Sequence, residues 1–164
     1  MVTLEFRLVG KPRQYRALDE AIRTTQFIRN KCVRYWQDTR GVTPYDLNKY
    51  CAILACEYAF VRRLNAMARQ AAAERAGAAI TRFYKNCRAK KPGKKGCPRF
   101  QKDGRSVEYK TTGWQLDEVR RHLSLTDGLG LGTFKLKGTR DLLGYALGTI
   151  KRAPAGDGDP RYDR

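Results

Sequence analysis

Hydrophobic and polar positions change period twice along the chain. Over residues 2–9, Val2, Leu4, Phe6 and Leu8 alternate with Thr3, Glu5 and Arg7, which predicts a half-buried strand. Gly10-Lys11-Pro12 ends it, and Pro12 suits the first turn of a helix, where no backbone N–H is needed. Leu18, Ile22, Thr25, Ile28, Cys32 and Trp36 then recur at three- and four-residue steps. That spacing predicts one amphipathic helix to about Thr39, stopped by Gly41. Thr43-Pro44-Tyr45-Asp46 reads as a second helix start, with a hydroxyl at the N-cap, Pro at the first position and a carboxylate at the third. Leu47, Tyr50, Cys51, Leu54 and Tyr58 follow on one face. The helical pattern runs to about Arg88, too long for one uncapped helix, so a break is expected near 59–65. The Ala-rich run from Ala66 to Ile80 permits close helix packing, or close approach of another backbone such as that of a nucleic acid.

Beyond residue 104 the period falls to two. "SVEYKTT", "WQLDEV", "RHLSLTD", "GTFKLKG" and "YALGTIK" are short alternating runs separated by Gly or Asp-Gly, the pattern of strands joined by tight turns. Gly128, Gly130 and Gly132 resemble a phosphate-binding loop only superficially, because no helix follows them; they read as hairpin turns. A lone N-terminal strand does not stand by itself. Pairing it with the later strands makes the helices an insertion into one β unit, and the fold class α+β.

Charge changes the picture most. The 164 residues hold 34 Lys+Arg against 16 Asp+Glu, a net charge of +18. A field of that size favours a polyanionic partner, with nucleic acid ahead of a membrane surface; a ribosome-like or chaperoned basic protein is a further option. No run approaches the length of a spanning helix, and no signal peptide is visible. Cys32, Cys51, Cys56, Cys87 and Cys97 contain no CxxC and match no zinc-site spacing, which favours reduced thiols, some of them core filler. His122, the one histidine, lies in an alternating run and reads as a strand residue.

From Arg82 to Lys102 there are nine basic residues and no acid, with Phe83, Tyr84 and Phe100 interleaved. The run starts on a helix and ends in Pro98-Arg99-Phe100, which a plain spacer does not need. Arg82, Lys85, Lys90, Lys91, Lys94, Lys95, Arg99 and Lys102 are therefore candidate phosphate contacts, and aromatics here suit base stacking. Phe83 reads as core, and Phe100 as a nucleic-acid-binding candidate that either stacks on a base or pins the loop to the β unit, with pinning favoured because Pro98 already fixes the approach. Asn65, Arg69 and Gln70 form a second, polar candidate on one helix; Gln and Arg can bond adenine and guanine edges in a major groove. The acids offer no comparable constellation: most stand singly among basic residues or in turns. Asp157, Asp159 and Asp163 cluster only in a Gly/Pro-rich tail with nothing to position them for metal chemistry.

These stretches together resemble the N-terminal part of the TnpB (OrfB) family, RNA-guided nucleases encoded by bacterial insertion sequences and usually called transposases. "QFIRNKCVRYW" looks like the family's first helix with its aromatic–x–x–Asn pattern. "RQAAAERAGAAITRFYKN" is similar to its Gln-containing helix, "KKGCPRFQK" to its Gly-x-Pro-Arg-Phe loop, and "SVEYKTTGWQL" and "LSLTDGLGLGTFKLKGTRDL" to the strands that follow. The match covers about residues 1–152.

The resemblance implies a small β-barrel-like wedge domain from 1–10 and 105–152. It implies an inserted helical recognition domain, 11–104, carrying a basic loop at 88–104. It implies guide RNA and a target DNA duplex as partners, in a prokaryotic cytoplasm and at the nucleoid. Gln70 falls where a helix reads a target-adjacent motif, and Thr111 in a wedge segment near the same DNA; protein reads the short motif while base pairing reads the target. The family continues into a RuvC-like nuclease domain using a divalent metal such as magnesium, whereas this chain stops before it. Residues 153–164 depart from the family pattern and read as a disordered tail. The expectation is a nucleic-acid-binding portion without catalytic residues, metal or cofactor of its own. The alternatives are a DNA-binding regulator or accessory protein that needs no RNA, and an enzyme with a cryptic site.

Overall fold

The computed structural model describes residues 4–90, 92–138 and the backbone of 149–152. Expectations placed on Val2, Thr3, Lys91, the start of the 145–151 run and the 153–164 tail with its three Asp lie outside the described residues.

The chain is α+β. Strand β1 (Arg7–Val9) leads into helices α1 (Pro12–Asp38), α2 (Pro44–Glu57), α3 (Ala59–Arg63) and α4 (Ala66–Arg88). Strands β2 (Val107–Lys110), β3 (Trp114–Asp117), β4 (His122–Leu125), β5 (Gly132–Lys137) and β6 (Thr149–Arg152) follow.

Local chemistry sets the helix ends. Asp46 Oδ2 accepts the Thr43 N–H at 2.8 Å while Thr43 Oγ1 accepts the Asp46 N–H at 3.3 Å, the reciprocal cap that starts α2. The expected break is real: Tyr58 and Leu64 take extended backbone, and Asn65 Oδ1 caps α4 by accepting the Met67 N–H at 2.7 Å. Ala68, Ala71, Ala72, Ala73 and Ala76 are all buried. At Gly77 a Cβ would lie 3.5 Å from Pro44 Cβ. The small side chains of α4 thus serve close packing against neighbouring elements, the first of the two options their composition left open.

β1 pairs antiparallel with β5 across the helical block, Leu8 opposite Leu136, in a four-stranded sheet of order β1-β5-β4-β3. Of the described part of the expected 2–9 strand, Arg7–Val9 join this ladder, while Leu4 and Phe6 pack on the core outside it. Two side chains weld α1 to the sheet. Gln14 Nε2 donates to Leu131 O at 2.6 Å and Thr133 O at 3.0 Å, and Tyr15 Oη donates to Leu8 O at 3.0 Å.

The barrel expectation needs correction: among the described residues the four-stranded sheet is open. The cause is a turn. Thr111–Gly113 forms one turn of 3-10 helix, with Thr111 at φ +31°. It ends the expected 106–112 strand early and sends β2 out of the sheet. β2 pairs instead with β6 in a separate two-stranded ribbon, Tyr109 opposite Ile150, and ties itself to α4 through Arg75–Glu108 at 3.2 Å and Lys110–Glu74. Four short strands cannot close by themselves.

Candidate nucleic-acid interface

After α4 the backbone turns through Lys90 (φ +48°) and Gly93 (φ +76°), then crosses back over the helices. This segment is no free spacer. Asn86 Nδ2 donates to Lys95 O at 3.0 Å, and Arg29 Nη1 donates to Arg99 O at 2.9 Å. Asn30 takes both backbone groups of Gln101, while Gln26 Nε2 donates to Gln101 O at 2.9 Å and Lys102 O at 3.0 Å. Gln26 Oε1 accepts the Gly104 N–H. Side-chain amides therefore supply, one residue after another, the backbone partners that a sheet would otherwise provide. The result is an extended strap, 95–104, lying on α1 and the end of α4.

With its backbone held down, the strap turns its side chains out. Lys94, Arg99, Phe100 and Lys102 are exposed, beside exposed Arg82, Lys85, Arg88 and Lys90 on or just after α4. Lys95 is half-buried. Pro98 is buried while Phe100 is 49% exposed. The pinning role expected of Phe100 thus belongs to Pro98, whose compact ring presents no polar N–H to bury. Phe83, expected as core, is half-buried, 6.0 Å edge-on from Trp36. Trp36 Nε1 donates to Tyr84 Oη at 3.0 Å, leaving Tyr84 fixed yet 46% exposed. Among the described residues, the ion pairs of the chain involve none of Arg82, Lys85, Arg88, Lys90, Lys94, Arg99 and Lys102. Their charge is not cancelled locally.

The second candidate lies on the other end of α4. Gln70 is exposed. One turn before it, Met67 Sδ receives the Thr111 hydroxyl at 3.7 Å, so the fold does bring the Gln70 face and Thr111 together. Arg69 is half-buried, and its carbonyl accepts the Cys51 thiol at 3.5 Å. Asn65 is engaged within the protein at both ends of its amide: it caps α4 and donates to Thr126 O. At 1.5 Å rise per residue, Gln70 and Arg82 stand about 18 Å apart along α4. The sequence candidates thus form two patches.

Gln26, Arg29, Asn30 and Asn86 went unnoticed in the sequence as strap-holding residues. A signal existed for two of them. Gln26 and Asn30 are four apart, amide side chains on one face of an otherwise amphipathic helix. Their partners, backbone atoms some seventy residues on, are not written in any local pattern. The remaining polar expectations resolve simply. His122 pairs with Lys135 within the β4–β5 ladder. Cys32 and Cys51 are buried neighbours between α1 and α2, the hydrogen bond with the Cys51 thiol first and burial second pushing Cys32 up. Among the described residues no helix is long and apolar enough to cross a membrane.

No protein-family model matches the chain, and no curated protein matches it.

Proposed function

We propose that this chain is the nucleic-acid-gripping portion of a TnpB-like protein. In this reading the β1 and β2–β6 region is the wedge, and α1–α4 with the strap form the inserted recognition unit. Guide RNA lies along the basic strap, and a target-adjacent DNA motif meets the Gln70–Thr111 patch. The chain binds without cutting, holds no metal of its own, and works in the cytoplasm at the nucleoid. One observation carries the reading. A segment whose backbone is held by Gln26, Arg29, Asn30 and Asn86 presents Arg99 and Lys102, which enter none of the ion pairs among the described residues, beside half-exposed Tyr84 and Phe100. A backbone fixed that way loses little further entropy on binding, and charge with aromatic faces is what a single-stranded polynucleotide meets in its binders.

The test is fluorescence anisotropy of the purified chain with RNA transcribed from the DNA flanking its own coding sequence, against unrelated RNA, from about 50 to 200 mM salt. Replacing Lys90, Lys91, Lys94 and Lys95 by Ala flattens the log–log salt slope by about 3 if all four contact phosphate, at about 0.7–0.9 per contact. An unchanged slope returns the stretch to the status of spacer. The same samples, incubated with magnesium or manganese and labelled DNA or RNA, give no cleavage; chelator-sensitive cutting would move the reading to an enzyme.

A further inference from the structure

Beneath the strap, α1 and α4 leave a cavity of about 80 Å3, lined among others by Arg29, Arg75, Arg105, Ser106, Gln26 and Asp103. Two of its arginines differ in their company. Arg75 is balanced: Nη2 stands 3.2 Å from Glu108 Oε2, and Nη1 donates to Ser106 Oγ at 3.2 Å. Arg29 meets only neutral acceptors, Arg99 O at 2.9 Å and Asn30 Oδ1 at 3.2 Å, both through Nη1. Among the described residues its Nε–H and Nη2 hydrogens have no partner, and Asp103 forms no ion pair with it. Burial first, and Arg75 second, disfavour the Arg29 charge. A guanidinium nevertheless stays protonated, and an anion at its free edge offsets both effects.

We propose that this cavity takes one phosphoryl group, gripped by the Nε/Nη2 edge of Arg29 and the Ser106 hydroxyl, with Arg75 beside it. The Nε/Nη2 edge is a fork that matches two oxygens of a phosphate. Ser106 Oγ already accepts from Arg75, which leaves its own proton to donate. Gln26 adds nothing, since its amide is fully engaged by the strap. The phosphoryl group comes from a polynucleotide backbone or from free phosphate; for the first source the proposal rests on the nucleic-acid reading above.

The experiment has two arms on the full chain, with Arg29→Gln, Arg29→Lys and Ser106→Ala. In the first, inorganic phosphate is titrated while the melting temperature is followed. In the second, the salt slope for a single-stranded RNA is measured. A saturable phosphate shift in the wild type, lost in Arg29→Gln and kept in part in Arg29→Lys, marks a site for free phosphate. No phosphate shift, with the RNA slope reduced by about 0.7–0.9 in Arg29→Gln, marks a backbone phosphate. If Arg29→Gln melts without ligand, Ser106→Ala takes its place, with a several-fold weaker phosphate or RNA affinity expected. Variants matching the wild type in both arms overturn the proposal. Tight RNA binding with an unaltered slope in the folded variants overturns the cavity alone; saturable phosphate binding without RNA binding overturns the nucleic-acid reading alone.

Discussion

Asn30 holds Gln101 from both sides: its Nδ2 donates to the Gln101 carbonyl at 2.8 Å, and its Oδ1 accepts the Gln101 N–H at 2.9 Å. A side-chain amide here imitates the edge of a strand, and does so from a helix. Asn30→Ala removes both bonds, and both are exposed, so global stability changes by only about 1 kcal/mol. The local effect is larger. Amides of 95–104 exchange faster in hydrogen–deuterium measurements, and RNA affinity falls because the strap must be ordered on binding. Unaltered exchange in this segment would show that the rest of the strap holds without Asn30.

Tyr84 and Phe100 present their rings at the edge of the basic patch. Base stacking contributes about 1–3 kcal/mol per base, so Phe100→Ala and Tyr84→Phe separate two roles. Phe100→Ala weakens single-stranded binding by that amount at every salt concentration, without altering the salt slope. Tyr84→Phe keeps the ring and loses only the Trp36 bond, with a small effect. Equal losses in the two variants would point to fold rather than stacking.

Gln70→Ala reduces discrimination between matched and mismatched target-adjacent DNA by about 1–3 kcal/mol while sparing bulk affinity. Competition binding with the two duplexes measures it. Equal loss on both counts against base reading by this helix.

Gly10 is required by its neighbours rather than by backbone freedom. A Cβ there would lie 2.7 Å from Phe134 Cδ1 and 2.9 Å from Gln14 Oε1. Gly10→Ala therefore forces the buried Phe134 ring or the Gln14 clamp to move, at about 1–3 kcal/mol. Urea unfolding reads this as a lower midpoint with an unchanged slope.

Thr43→Ala removes the cap of α2 and costs about 1 kcal/mol near neutral pH. The cost is pH-dependent. Hydrogen bonds from Thr43, side chain first, hold the Asp46 carboxyl below its ordinary 3.8. A depressed carboxyl contributes stability above its unfolded value and loses it as pH falls through the folded one. The gap between Thr43→Ala and wild type in thermal melts accordingly narrows below about pH 4.

Local physics was legible in the sequence. Pro12 and the Thr43–Asp46 cap sit where helices must start, and a change of period from 3.6 to 2 separates helix from strand wherever one face is buried; that Asn65 caps α4 came only with the structure. The alternation of 132–138 and the pairing demand of a lone first strand were enough to place β1 on a later strand. Tertiary structure decided what no period encodes. Thr111 turns β2 out of the sheet and opens what a barrel would close, because its ribbon finds ion-pair partners on α4. Pro98, not Phe100, anchors the strap, because the buried position tolerates a ring without a donor. Gln26 and Asn30 come to hold the strap only through backbone atoms far along the chain. Hydrogen bonds between distant segments depend on which surfaces packing brings together, and that is settled by the whole core at once.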